Sequence, residues 1–145
     1  MKKSSAAWCE IGGKRFYSRS MWERNYARYL QFLKERNEIF DWHYEPKTFW
    51  FLEIKRGVRS YKPDFLIESV ELGNNYWVEV KGFMDSKSLT KLKRMRIYYP
   101  QEIIRVITAK WFADNNQKMR TIIKDWEIGK SCLPKFKTMP KKKYI

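Results

Sequence analysis

Apolar residues first alternate with polar ones around Gly12-Gly13, so EIGGKRFY (10–17) reads as a small hairpin with Phe16 as its anchor. Ser20 and Glu23 then bracket Met21-Trp22 as Ser-x-x-Glu, the capping box that opens a helix. Trp22, Tyr26, Tyr29, Leu30 and Leu33 recur at helical spacing and carry that helix to about Glu38. From Trp42 the period shortens toward two. It predicts strands near 47–55 (KTFWFLEIK), 60–70 (SYKPDFLIESV) and 76–81 (YWVEVK), with turns at Arg56-Gly57 and Gly73-Asn74-Asn75. Pro63 has no N–H for a ladder, so the middle strand lies at an edge, carries a bulge, or starts late. Ser86 or Asp85 caps a second helix, roughly 87–98, stopped soon after by Pro100. A buried strand, 103–108 (IIRVIT), follows. A last helix, about 114–127, shows Met119, Ile122, Ile123 and Trp126 at i, i+3, i+4 and i+7, with Gly129 to end it. The order α-β-β-β-α-β-α is that of a mixed α/β domain, a central sheet flanked by helices.

Length and composition narrow the class. A chain of 145 residues with 7 Trp, 9 Tyr and 9 Phe has apolar material for one packed core, which excludes global disorder. We expect a single domain over 1–129 and a Pro- and Lys-rich basic tail over 130–145 that orders on a partner. No apolar run approaches the ~18 residues of a membrane span, and MKKSSAAWCE lacks an apolar signal core. The expectation is a soluble, cytoplasmic protein without a membrane partner. Cys9 and Cys132 stand far apart with no Cys/His cluster, and are expected as reduced thiols.

Charge changes the picture more. The formal net charge is +15, which points to a polyanionic partner, nucleic acid first. Yet residues 41–81 carry six basic and seven acidic side chains, net −1, while every other stretch is strongly positive. Carboxylates facing DNA repel it unless a divalent cation stands between them.

Within and beside that acidic stretch, four residues carry candidate chemistry: Glu23, Asp64, Glu79 and Lys81. Glu79 and Lys81 lie two apart on a strand and share a face. Asp64 is on the preceding strand, which the Gly73 turn folds back alongside. Two carboxylates at one point are costly unless protonated or neutralised, and a hard cation with oxygen ligands does the latter. Magnesium suits such a pair, with manganese able to substitute. Lys81 can orient or deprotonate an attacking water and offset charge on a phosphate. Glu23 can join from the first helix or serve only as its capping glutamate. Glu45, next to Pro46, is a candidate fifth member of the group but reads more readily as a loop acid, and His43, between Trp42 and Tyr44, as packing. A single histidine excludes HNH, His-triad and Ser/His/Asp mechanisms. No Gly-rich phosphate loop is present, so ATP use is not indicated.

This arrangement resembles the PD-(D/E)xK nuclease superfamily, with Pro63-Asp64 as its PD and Glu79-Val80-Lys81 as its (D/E)xK. From about Ile11 to Ile107 the chain is similar to small phage nucleases, Holliday-junction resolvases and the end-cleaving nuclease subunits of some transposons. FYSRSMWERNYARYL (16–30) is similar to the helix that supplies the extra acidic residue, and YKPDF (61–65) and VEVKG (78–82) to the catalytic strands. The resemblance implies a restriction-endonuclease-like core. By it, Asp64, Glu79 and Glu23 hold the metal and Lys81 assists the water.

Away from these positions, Lys87, Lys91 and Arg94 form one helical stripe. With Arg24, Arg28 and Lys141, Lys142 and Lys143, they are candidates for tracking a phosphate backbone. The expected function is magnesium-dependent hydrolysis of DNA phosphodiesters, selective for branched structures such as junctions. Symmetric cutting of two strands would need a homodimer. A sequence-specific homing or transposon-end cutter, an RNA-processing nuclease with the same chemistry, and a basic nucleic-acid-binding module are the rival readings.

Overall fold

The computed structural model describes residues 5–129. Strands β1 (Ala7–Ile11) and β2 (Lys14–Ser18) form the antiparallel hairpin, turning on Gly12 and Gly13 at φ 58° and 77°. Only glycine takes two such values without strain. Gly12 is doubly constrained, because a Cβ there would stand 2.1 Å from Oε1 of Gln31. That oxygen accepts the Trp42 indole N–H at 3.0 Å, so the glycine lets the first helix seal against the sheet.

Helix α1 (Met21–Glu35) starts as expected, with Ser20 as N-cap. It ends three residues before Glu38, where Asn37 at φ 59° turns the chain. The turn delivers β3 (Asp41–Tyr44), a strand with too few residues to show a period. The strand expected over 47–55 contracts to β4 (Phe49–Trp50). That expected over 60–70 splits at Pro63 into β5 (Ser60–Tyr61) and β6 (Phe65–Glu68). Then come β7 (Tyr76–Val80), α2 (Ser86–Tyr98, capped by Asp85), β8 (Ile104–Ile107) and α3 (Ala109–Ile122). The last helix thus begins at Ala109, with Thr108 as its N-cap, and stops at Ile122, before Trp126, not over 114–127. Asp125 takes φ 68°, and Trp126 returns to the core as an irregular residue whose indole N–H donates to Asn116 at 3.1 Å.

Four strands form the central mixed sheet in the order β3-β6-β7-β8. The first three are antiparallel, and β8 joins β7 in parallel after α2 crosses over, as a parallel neighbour requires. Alternation along the strands supplies two cores. Trp42, Phe65, Ile67, Val78 and Val80 pack with Tyr26, Ala27 and Leu30 of α1 and Phe112 and Met119 of α3. On the other side Trp77 packs with Phe49, Phe51, Tyr61 and Met95. The fold is therefore mixed α/β with helices flanking a mixed sheet. Among the described residues no helix is long and apolar enough to cross a membrane.

Candidate active site

The site stands where β3, β6 and β7 reach one end of the sheet. The registers pair Tyr44 with Phe65 and Phe65 with Val78. Continuing them by one residue sets Glu45, Asp64 and Glu79 in one row across three chain segments. The Glu45 N–H extends the ladder by donating to the Asp64 carbonyl at 2.7 Å. Beyond that, Pro63 interrupts the regular strand. The Val80 N–H, which would face Pro63, is taken instead by the Asp64 carboxylate at 2.7 Å. A side chain thus replaces a backbone partner, and that bond fixes the Asp64 carboxylate against β7.

Glu23 arrives from the first turn of α1. Its N–H donates to the Ser20 hydroxyl oxygen at 3.1 Å, and the same hydroxyl donates back to its Oε2 at 3.0 Å. Tyr44 donates its phenol to the other oxygen, Oε1, at 3.0 Å. Capping and site-building are the same set of bonds. Oxygens of Glu23, Glu45 and Asp64 all lie within 4.8 Å of one another. Glu45 stands at φ 45°, with Arg19 and Lys62 (3.3 Å) paired to its carboxylate. The Glu79 carboxylate accepts from the Tyr61 phenol at 2.9 Å.

Glu23, Asp64, Glu79 and Lys81 all line one open cleft of about 480 Å³, with Arg19 and the exposed ring of Phe83 also on its walls. Lys81 is placed by its backbone N–H, which donates to the Ile107 carbonyl at 2.9 Å. Gly82 follows because the Trp22 ring leaves no room. A Cβ there would come within 2.7 Å of that ring, which is stacked on Phe112 at 4.8 Å.

Electrostatics agree with the crowding. Burial first, then the charges of Glu79 and Glu23, push the Asp64 carboxyl well above its ordinary range. Burial also raises Glu79, against the opposing pull of the Tyr61 hydrogen bond and the charges of Lys81 and Lys91. Burial and the neighbouring carboxylates raise the Tyr61 and Tyr44 phenols, keeping both as donors. Such a cluster of carboxylate oxygens fits a hard divalent cation, which would remove the repulsion.

Several expected contacts fall elsewhere. Arg24 is buried, and its Nε and Nη2 close on Glu127 at 2.7 and 2.9 Å. Arg28 donates to the same carboxylate at 2.7 Å. Burial alone would lift the Glu127 carboxyl, but the two arginine hydrogen bonds outweigh it and hold it low. Arg24 and Arg28 therefore lock the residues after α3 onto α1 rather than face solvent. Arg94 turns its guanidinium to the Val58 carbonyl. Of that stripe Lys87 is exposed, and Lys91 is half-buried near Glu79. Lys141, Lys142, Lys143 and Cys132 lie outside the described residues, while Cys9 is a free thiol.

His43 does more than pack, since its Nε2 lies 3.1 Å from Glu68. With Asp41 these residues make a second acidic group. Lys14 and Lys34 sit 2.9 and 3.0 Å from Asp41, so that acid already has its cations. Its carboxyl, lifted by burial but pulled harder by bonds from Lys14, the Trp42 N–H and Lys34, falls to about 2. A larger cleft of about 540 Å³ lies between the hairpin turn, α1 and residues 122–125, but its acids Glu10, Glu35 and Asp125 are all solvent-exposed. The smaller cleft, with buried Glu23 and Asp64 on its wall, is the candidate site.

Sequence reasoning left out Tyr44, Tyr61 and Arg19, and ranked Glu45 as a loop acid ahead of a fifth member of the site. Had DWHY been taken as a strand, its register with β6 would have placed Glu45 beside Asp64. Comparisons with protein-family models, curated proteins and solved structures found no match.

Proposed function

We propose that the protein is a magnesium-dependent DNA endonuclease of the PD-(D/E)xK type, its sheet serving as a restriction-endonuclease-like core. The observation that carries this is convergence. Glu23, Asp64, Glu79 and Lys81, from a helix and two strands, line one cleft, with a lysine as the cationic member beside buried acids. Asp64, Glu79 and Glu23 would hold the ion, with Glu45 adjacent but already offset by Arg19 and Lys62. A bound divalent cation supplies neutralisation of the carboxylates and Lewis-acid polarisation of the scissile phosphate.

The chain's own residues do the rest. Lys81, on the wall of the cleft, would hold or deprotonate the water whose oxygen attacks phosphorus as the bond to the leaving oxygen breaks. Its positive charge offsets the charge that builds on the phosphoryl oxygens. Tyr61 and Tyr44, kept protonated, hold the Glu79 and Glu23 carboxylates in position. Lys87 and Lys91 grip phosphates without reading bases, which favours recognition of DNA shape over sequence. A homodimer acting on branched DNA follows from that preference, because paired cuts need two sites.

The test is cleavage of a labelled four-way junction, matched duplex and single strand with magnesium, wild type beside Glu79→Gln. Paired nicks near the branch, lost in the variant, are expected. Cutting of duplex at one sequence would replace the branched substrate with a sequence-specific one. Tight binding with no cutting would leave a basic binding module.

A further inference from the structure

We propose that the outer face of the β1–β2 hairpin is a stacking platform for unpaired DNA bases, so that the strand entering the cleft carries a single-stranded segment. This deepens the nuclease reading and rests on it for the identity of the ligand. Alternation turns Ile11, Phe16 and Ser18 inward and leaves Trp8, Glu10, Arg15 and Tyr17 outside. Trp8 is 64% and Tyr17 51% exposed, and neither belongs to the core clusters. They face each other across the strands with ring centroids 5.6 Å apart and planes inclined at 65°. The Arg15 guanidinium lies 5.3 Å from the centre of the Trp8 ring.

Two facts choose the occupant. Charge is the first: the chain as a whole carries +15, which suits a polyanion, and on this face Arg15, opposite Glu10, brings its guanidinium beside Trp8, while Lys14 and Arg19 are paired to Asp41 and Glu45. Continuity is the second. Strand β2 runs directly into Arg19 and Ser20, both on the wall of the cleft. The three residues from Tyr17 to Ser20 span at most about 10 Å, roughly three nucleotides at the stacked rise. Bases in an intact duplex already stack on their neighbours, so exposed rings can take only bases that are unpaired or at an end. The platform therefore discriminates flaps, gaps and open junctions from continuous duplex.

The test is equilibrium binding in EDTA, by anisotropy of a labelled oligothymidine, a relaxed closed-circular duplex without ends and a duplex with a single-stranded arm. Trp8→Ala and Tyr17→Ala are each expected to weaken binding of the first and third by about 5- to 150-fold. Duplex affinity should stay within about twofold, and the salt slope should not move, because no phosphate contact is lost. Trp8→Phe should retain most of the affinity. Equal losses on all three probes, or none, would overturn the proposal. The measurement is metal-free and so independent of cleavage. A protein that passes it but never cuts keeps the platform and loses the nuclease. One that cuts with Trp8 and Tyr17 indifferent does the reverse.

Discussion

Removing a charge from the Asp64 carboxylate should make the metal-free protein more stable. In Asp64→Asn the amide oxygen can still accept the Val80 N–H, and the new N–H₂ can donate to Glu23. What disappears is like-charge repulsion. With the Glu23 and Asp64 oxygens within 4.8 Å and an effective dielectric near 20, that pair of unit charges repels by roughly 3 kcal/mol. Glu79 adds its own repulsion to Asp64, whereas Glu45 has Arg19 and Lys62. Burial and the neighbouring carboxylates already favour the neutral form of Asp64, which takes back part of the repulsion, so the net gain is about 1–3 kcal/mol, or ~3–10 °C in Tm for a chain of this size.

The sign of the pH dependence follows. A carboxyl raised in the native state binds more protons there than when unfolded. Wild-type stability must therefore fall as pH rises from about 4 through the raised native value, and Asp64→Asn should flatten that slope. Thermal unfolding by circular dichroism in EDTA, at ~pH 5 and ~pH 8, measures both. Added magnesium should raise wild-type Tm and leave the variant nearly unmoved. Buried substitutions ordinarily destabilise by about 1 kcal/mol. A lower Tm for Asp64→Asn at the higher pH, with an unaltered magnesium response, would refute the reasoning.

Lys81→Ala should lower single-turnover cleavage by about 10²–10⁴-fold with little change in DNA affinity; equal losses in both would reduce Lys81 to a phosphate contact. Gly82→Ala drives a methyl into the Trp22 ring and should cost about 1–3 kcal/mol in urea unfolding, with cleavage falling too because Lys81 is the next residue. Glu127→Ala leaves the buried Arg24 uncompensated. It should destabilise by about 2 kcal/mol, below the usual cost for a buried pair because Glu127 is partly open to solvent, and should leave the salt slope of DNA binding unchanged.

How much of this was legible depends on how local each signal is. The Ser20/Glu23 capping box and the shared face of Glu79 and Lys81 need only a few adjacent residues, and both stand in the structure as expected. The split at Pro63 was visible as a constraint, although not as the bond from Val80 to Asp64 that exploits it. Glu45 read as a loop acid rather than a neighbour of Asp64 because β3 has four residues, of which only Trp42 and Tyr44 face the core, too short a run to establish a period. The last helix was misplaced because Trp126 continues an apolar spacing that the backbone abandons at Asp125. Arg24 read as a surface cation on a polar helix face. Its partner, Glu127, is 103 residues away, and no local pattern could name it.

The most direct measurement is a magnesium titration of strand scission on a labelled four-way junction by wild type and Asp64→Asn, with binding followed in parallel without metal. The account predicts magnesium-dependent nicking by wild type, and none by a variant that binds the same DNA equally or more tightly. Scission by Asp64→Asn at the wild-type rate, or wild-type scission that persists in EDTA, would contradict it.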